Sequence, residues 1–149
     1  MTALVDTNVL VYRYDARDPG KQRVARKLLR EGLAGETLRL PHQAIVEFVQ
    51  AATRPVRRGG AGLLTRAEAL REAEEMLAQF EVLYPTEPLL RTAIRAVATY
   101  QLGWFDAHVW AYAEHYGIDE ILSEDFSDGE FIGPVRIRNP FAAGAELSV

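Results

Sequence analysis

Residues 3–12 read ALVDTNVLVY. Apolar residues on both sides of Asp6, Thr7 and Asn8 call for burial, yet a buried carboxylate without partners is costly enough to protonate or to drive its segment outward. The stretch therefore predicts a short buried strand over residues 3–6 whose end delivers Asp6 to a place that uses it. Asp, Thr and Asn readily start helices, so the chain is expected to turn from that strand straight into a helix.

The same alternation continues outward. After the polar break DARDPG, the segment KQRVARKLLREGLAG predicts a helix with Val24, Leu28 and Leu29 on one face and Gly35 near its stop. LRLP reads as a strand and HQAIVEFVQAATR as a helix ending before Pro55, followed by the loop RPVRRGGAGLL with its arginines and glycines. Thr65 and Glu68 form a capping-box pattern ahead of Leu70, Ala73, Leu77 and Phe80. EVLYP is a third strand. TEPLLRTAIRAVATYQL is a helix capped by Thr86 with Leu90, Ile94 and Val97 facing inward, and WFDAHVWAYAEHYG is another that stops at Gly117. IDEILSED supplies a fourth strand and PVRIRNPF a short edge strand. Short strands alternating with helices predict an α/β fold, a three-layer α/β/α sandwich around a mostly parallel sheet of four to five strands. Ligands of such sheets bind outside the carboxyl ends of the strands, where Asp6 and Asp125 both fall.

A chain of 149 residues with 48% apolar content is expected to form one domain over 1–149 with a continuous core. Its net charge of −4 gives no bulk attraction for nucleic acid, so any such binding must be local. The absence of cysteine excludes disulfides and thiolate metal sites and fits a reducing cytoplasm. No apolar run approaches a membrane span and no basic leader precedes LVDTNVLVY, so a cytoplasmic protein without membrane contact is expected.

Three more acids share the setting of Asp6. Glu47 lies in AIVEFV, Asp106 in WFDAHVW, and Asp125 follows the apolar EIL. Each alone fits a helix cap or an exposed acid. Together at one sheet edge they would repel one another and raise their own pKa values unless a cation intervened. Oxygen ligands without His or Cys point to magnesium or manganese, and because magnesium keeps several waters, such a site suits hydrolysis of a phosphodiester.

LVDTNVLVY, AIVEFV, WFDAHVWAYAEHYG and ILSEDFSDG, in that order and ending in VRIRNPF, resemble a PIN domain, and specifically the VapC-type toxins of bacterial toxin–antitoxin modules. The resemblance implies a metal-dependent endoribonuclease held inactive by a cognate antitoxin. It implies an acidic quartet of Asp6, Glu47, Asp106 and Asp125 as catalytic residues and metal ligands, with Thr7 and Asn8 holding the first carboxylate and Ser123 supporting the fourth. Glu124 and Asp128 flank Asp125, and either could share its role. Gly103 stands where many relatives have serine, and Pro41 and His42 where a small hydroxyl residue is common. The expected partners are an RNA substrate, the antitoxin and a second copy of the chain in a homodimer.

The remaining residues are weighed against this reading. His108 and His115 read as structural, while His42 could touch substrate. Trp104, Phe105, Trp110, Tyr112 and Tyr116 read as core, and Phe48, Val49, Leu63, Leu64, Trp104 and Trp110 as an apolar supply for an antitoxin beside the pocket. Arg13, Arg17, Lys21, Arg23, Arg26, Arg54, Arg57 and Arg58 form either a solvated face or a rim that holds RNA phosphates. Only Lys21 and Lys27 are lysines, which leaves aspartate-nucleophile phosphatase and receiver chemistry without its late lysine; a P-loop is absent. The rival that survives is a catalytically silent PIN-like module that binds RNA or protein.

Overall fold

The computed structural model describes residues 1–142, and the last seven positions of the expected domain lie outside the described part. In chain order the elements are β1 (Ala3–Val5), α1 (Thr7–Tyr12), α2 (Pro19–Gly35), β2 (Leu38–Pro41), α3 (His42–Thr53), α4 (Arg66–Gln79), β3 (Glu81–Leu83), α5 (Glu87–Tyr100), α6 (Trp104–His115), β4 (Glu120–Leu122), β5 (Phe131–Ile132) and β6 (Val135–Arg138). The sheet runs β3-β2-β1-β4-β6-β5, parallel except where β5 meets β6. It has one strand more than the sequence suggests, because the two residues of β5 are too few to show a period. β6 is consequently not an edge; it lies between β4 and β5.

Alternation along each strand divides the core in two. Ala3, Val5, Leu38, Leu40 and Leu122 pack beneath α1 to α4, whereas Leu4, Leu83, Ile121, Val135 and Ile137 pack beneath α5 and α6. This is the three-layer α/β/α arrangement.

Helix starts follow local chemistry. Asp18 accepts from Lys21 N–H at 3.1 Å with Pro19 behind it, so α2 begins inside the DPG segment that reads as a break. Its left-handed C-cap is Glu36, φ 55°, rather than Gly35. The Thr65–Glu68 box is present in both directions, at 2.9 and 3.1 Å, and Thr86 caps Leu89 at 3.2 Å. Gly117 ends α6 at φ 68°.

Helix faces depart from expectation. α4 buries Ala69, Ala73 and Met76 and leaves Leu70 and Leu77 exposed; α5 buries Leu89, Ala93 and Ala96 and exposes Leu90 and Ile94. In α2 the inward residues are Ala25, Leu28 and Leu29, with Val24 at the margin. α4 and α5 each carry two adjacent apolar stripes, and the alanine-containing stripe is the one that lets the backbone approach its neighbours. Among the aromatics, Trp110 and Tyr112 are core, but Trp104, Phe105 and Tyr116 are exposed, against expectation. Phe48 and Trp110 are buried and so unavailable to a partner, while Trp104 is exposed and Val49, Leu63 and Leu64 are partly so.

The loop between α3 and α4 is fastened to α3. Leu64 N–H donates to Ala52 at 3.0 Å, Val56 N–H to Ala61 at 3.1 Å, and Gly62 comes so close that a Cβ there would lie 2.7 Å from the Thr53 carbonyl.

Candidate active site

β1 and β4 are adjacent and parallel, so their carboxyl ends open at the same edge. Asp6 follows β1 directly and is 4% exposed. Its Oδ1 accepts from Thr7 N–H at 2.8 Å and its Oδ2 from the Ser123 hydroxyl at 2.7 Å, with Asn8 Nδ2 at 3.4 Å. Asn8 also donates to Ser123 Oγ at 3.1 Å and accepts from Glu124 N–H at 3.3 Å, which ties the start of α1 to the turn after β4. That turn presents Asp125, whose N–H donates to Ser123 Oγ at 3.1 Å. Ser123 thus serves both the first and the fourth acid, a wider part than support of Asp125 alone.

Glu47 reaches the same edge from α3. The Thr7 hydroxyl donates to its Oε2 at 2.7 Å and Gln43 Nε2 to its Oε1 at 3.0 Å. Thr7 therefore holds Asp6 with its backbone and Glu47 with its side chain. Gln43 also reaches the Phe105 carbonyl at 3.3 Å, linking α3 to the first turn of α6, where Asp106 sits. Sequence reasoning passed over Gln43, although its i,i+4 relation to Glu47 was a visible signal. Neither α3 nor α6 has a side-chain cap, since Pro41 and Gly103 occupy those positions.

Burial pushes the Asp6 carboxyl up to about 6; its bonds from Ser123 and Thr7 pull the other way, and the charges of Asp125 and Glu47 add to the rise. Asp106 is raised as well, by burial and by the same two charges, and it accepts no hydrogen bond among the described residues. Asp125 and Glu47 are thus felt by both other acids. Among the described residues no three His, Asp or Glu are gathered closely enough to hold a metal ion unaided. The donors nevertheless suit a hard divalent cation that keeps much of its water and needs only one or two carboxylates. Any of the four acids could supply them.

The flanking acids are otherwise engaged. Glu124 accepts from Tyr12 at 2.7 Å and from Lys21 Nζ at 2.8 Å, and Asp128 accepts from Asn139 N–H at 2.9 Å. His42 packs against the ring of Tyr84, centroids 5.5 Å apart, and His108 Nδ1 lies 2.8 Å from the Trp104 carbonyl.

The sequence profile of the PIN domain matches residues 3–127. The chain belongs to the PIN-domain family. This PIN domain resembles the VapC20 toxin of Mycobacterium tuberculosis, described as cleaving the sarcin–ricin loop, at 17% identity and TM-score 0.65 over 83% of this chain and 90% of that one. It also resembles a toxin–antitoxin complex from Klebsiella pneumoniae, at 16% identity and TM-score 0.65 over 93% and 98%, and FitAcB of Neisseria gonorrhoeae, at 17% and 0.62 over 94% and 99%. No curated protein sequence matches the chain. At such identities the likeness establishes the fold.

A cleft of about 510 Å³ runs along the PIN-domain site, lined by Thr7, Glu47, Asp125 and Glu124 together with Arg17 and Arg54. Among the described residues no helix is long and apolar enough to cross a membrane.

Proposed function

We propose that the chain is a magnesium- or manganese-dependent endoribonuclease and acts as the toxin of a toxin–antitoxin pair. The observation that carries the nuclease reading is that Asp6 and Asp106 both lie within the influence of Asp125 and Glu47 at the β1/β4 end of a PIN fold. Asp6 and Asp106 would be the principal ligands, with Glu47 and Asp125 completing the cage or orienting water. An ion bound there lowers the pKa of its water and polarises a phosphate oxygen. The chain's own part is orientation. Ser123 and the Thr7 N–H fix both oxygens of Asp6, the Thr7 hydroxyl and Gln43 fix both oxygens of Glu47, and Asn8 sets the turn that carries Asp125.

Purified protein given defined tRNA, rRNA and mRNA substrates, with magnesium and with chelator, tests the proposal. Magnesium-dependent cleavage that disappears in a folded Asp6→Asn variant is expected; wild-type cleavage by that variant would sink the assignment, and a pure binding module would cleave nothing. The toxin role draws on the structural neighbours, among them a toxin–antitoxin complex. Growth arrest on expression of the chain alone, relieved by its antitoxin, is the expected phenotype in cytoplasm.

A further inference from the structure

Of the cations that could meet a polynucleotide, the structure separates those that line the acidic cleft from those that do not. Lys21 is paired with Glu124, Arg13 lies over the Tyr14 ring, and Arg26 donates to the Arg13 carbonyl. Arg57 and Arg58 belong to the exposed loop and do not line the cleft. Two remain. Arg17 comes from the connection between α1 and α2, and Arg54 caps the end of α3; both line the cleft that holds Glu47 and Asp125.

Their surroundings differ in a useful way. Asp15 is 5% exposed and grips Arg17 as a fork, Nε to Oδ1 at 2.9 Å and Nη2 to Oδ2 at 2.8 Å, while the Arg17 side chain stays 60% exposed. A buried carboxylate that orients an exposed guanidinium leaves the outer N–H groups at Nη1 and Nη2 pre-aimed and able to take a phosphate. The Arg54 guanidinium makes no hydrogen bond or ion pair among the described residues. An uncommitted cation beside an acidic centre offsets the repulsion that the centre exerts on a polyanion.

We infer that Arg17 and Arg54 are the phosphate contacts of the cleft, holding the backbone of a single-stranded RNA beside the acidic centre, with Asp15 as the positioning residue for Arg17. This deepens the ribonuclease reading and rests on it. Contacts of this kind position the strand without selecting its sequence.

The test measures binding of short fluorescent single-stranded RNAs of two unrelated sequences to the cleavage-deficient, folded Asp6→Asn protein, across a range of NaCl at fixed magnesium. Arg54→Met and Arg17→Met should each raise Kd about tenfold at low salt, equally for both sequences. Each should also flatten the dependence of log K on log salt by about 0.7, the value for one lost phosphate contact on a single strand. Arg17→Met leaves Asp15 buried without its partner, so the double change Asp15→Asn with Arg17→Met is measured beside it. Arg17→Lys, which keeps the charge and loses the fork, should retain the slope and bind more weakly. Arg95→Met, on α5, should change nothing. Unchanged slopes in both cleft variants, an equal effect at Arg95, or arginine-dependent binding of polyglutamate in place of RNA would overturn the inference. A wild-type protein that cleaves no RNA while its slopes still depend on Arg17 and Arg54 would instead remove the nuclease reading and leave the groove.

Discussion

Thr7 serves two carboxylates at once, and its hydroxyl is the cheaper to remove. Thr7→Val keeps the N–H that Asp6 uses and the branched shape at the start of α1, but frees Oε2 of Glu47. Because partners that orient an acid govern its metal affinity, the change should weaken the apparent magnesium affinity in cleavage by about 10–100-fold. A magnesium titration that superimposes on the wild type would show that Glu47 needs no such restraint. Asp6 itself reports on pH. Its folded carboxyl sits at about 6 against an ordinary 3.8, so the metal-free folded state takes up the proton that the unfolded chain has released. Stability should therefore fall as pH rises from about 4 to about 6 and stay low above, by about 3 kcal/mol in all. Denaturant melts in chelator at pH 4.5 and 7 test this against Asp6→Asn, in which that fall should be much smaller.

At the scale of elements, the least forgiving contact is Gly62 against the end of α3. A methyl group there would press on backbone atoms of Ala52 and Thr53 at 2.7–2.8 Å, which cannot rotate away. Gly62→Ala should cost about 1–3 kcal/mol and lengthen the Leu64–Ala52 bond, whereas Gly59→Ala meets no neighbour and pays only for its positive φ of 75°. Hydrogen exchange of the Leu64 amide separates the two; equal protection in both variants would mean that the loop does not rest on α3. Element types were largely legible in the sequence because caps are local, as at Thr65 and Thr86. Helix orientation was not. Leu70 and Leu77, or Leu90 and Ile94, form as good a stripe as the alanines beside them, and only the closeness of the packing decides which turns inward.

Across the whole molecule, four acids from the end of β1, from α3, from α6 and from the turn after β4 share one region, and their repulsion should oppose folding. Asp106 is raised and has no hydrogen-bond partner among the described residues, so Asp106→Asn should melt higher than wild type in chelator near neutral pH. The sign follows from a folded carboxyl held above its unfolded value: the penalty is complete above the folded pKa and gone below the unfolded one, so the advantage should vanish toward pH 4. Magnesium should raise the wild-type melt, by about 2.7 kcal/mol at a hundred times its Kd, and the variant's less. A lower melt for Asp106→Asn, with equal magnesium shifts, would make Asp106 an ordinary structural acid. The four acids could be picked out of the sequence because three interrupt apolar segments and Asp125 follows the end of one. The bonds joining them could not, since Ser123 to Asp6 and Thr7 to Glu47 span 117 and 40 positions.

The strand order carries a consequence in time. β1 leaves the ribosome well before its neighbour β4 and the serine that completes Asp6, 117 positions later. At ordinary elongation rates, roughly 6–23 s separate the synthesis of Asp6 from that of Ser123. The acidic centre is therefore absent from every nascent chain that has not reached the turn after β4. A ribosome making this protein carries a chain with an unfinished site until Ser123 and Asp125 have been added.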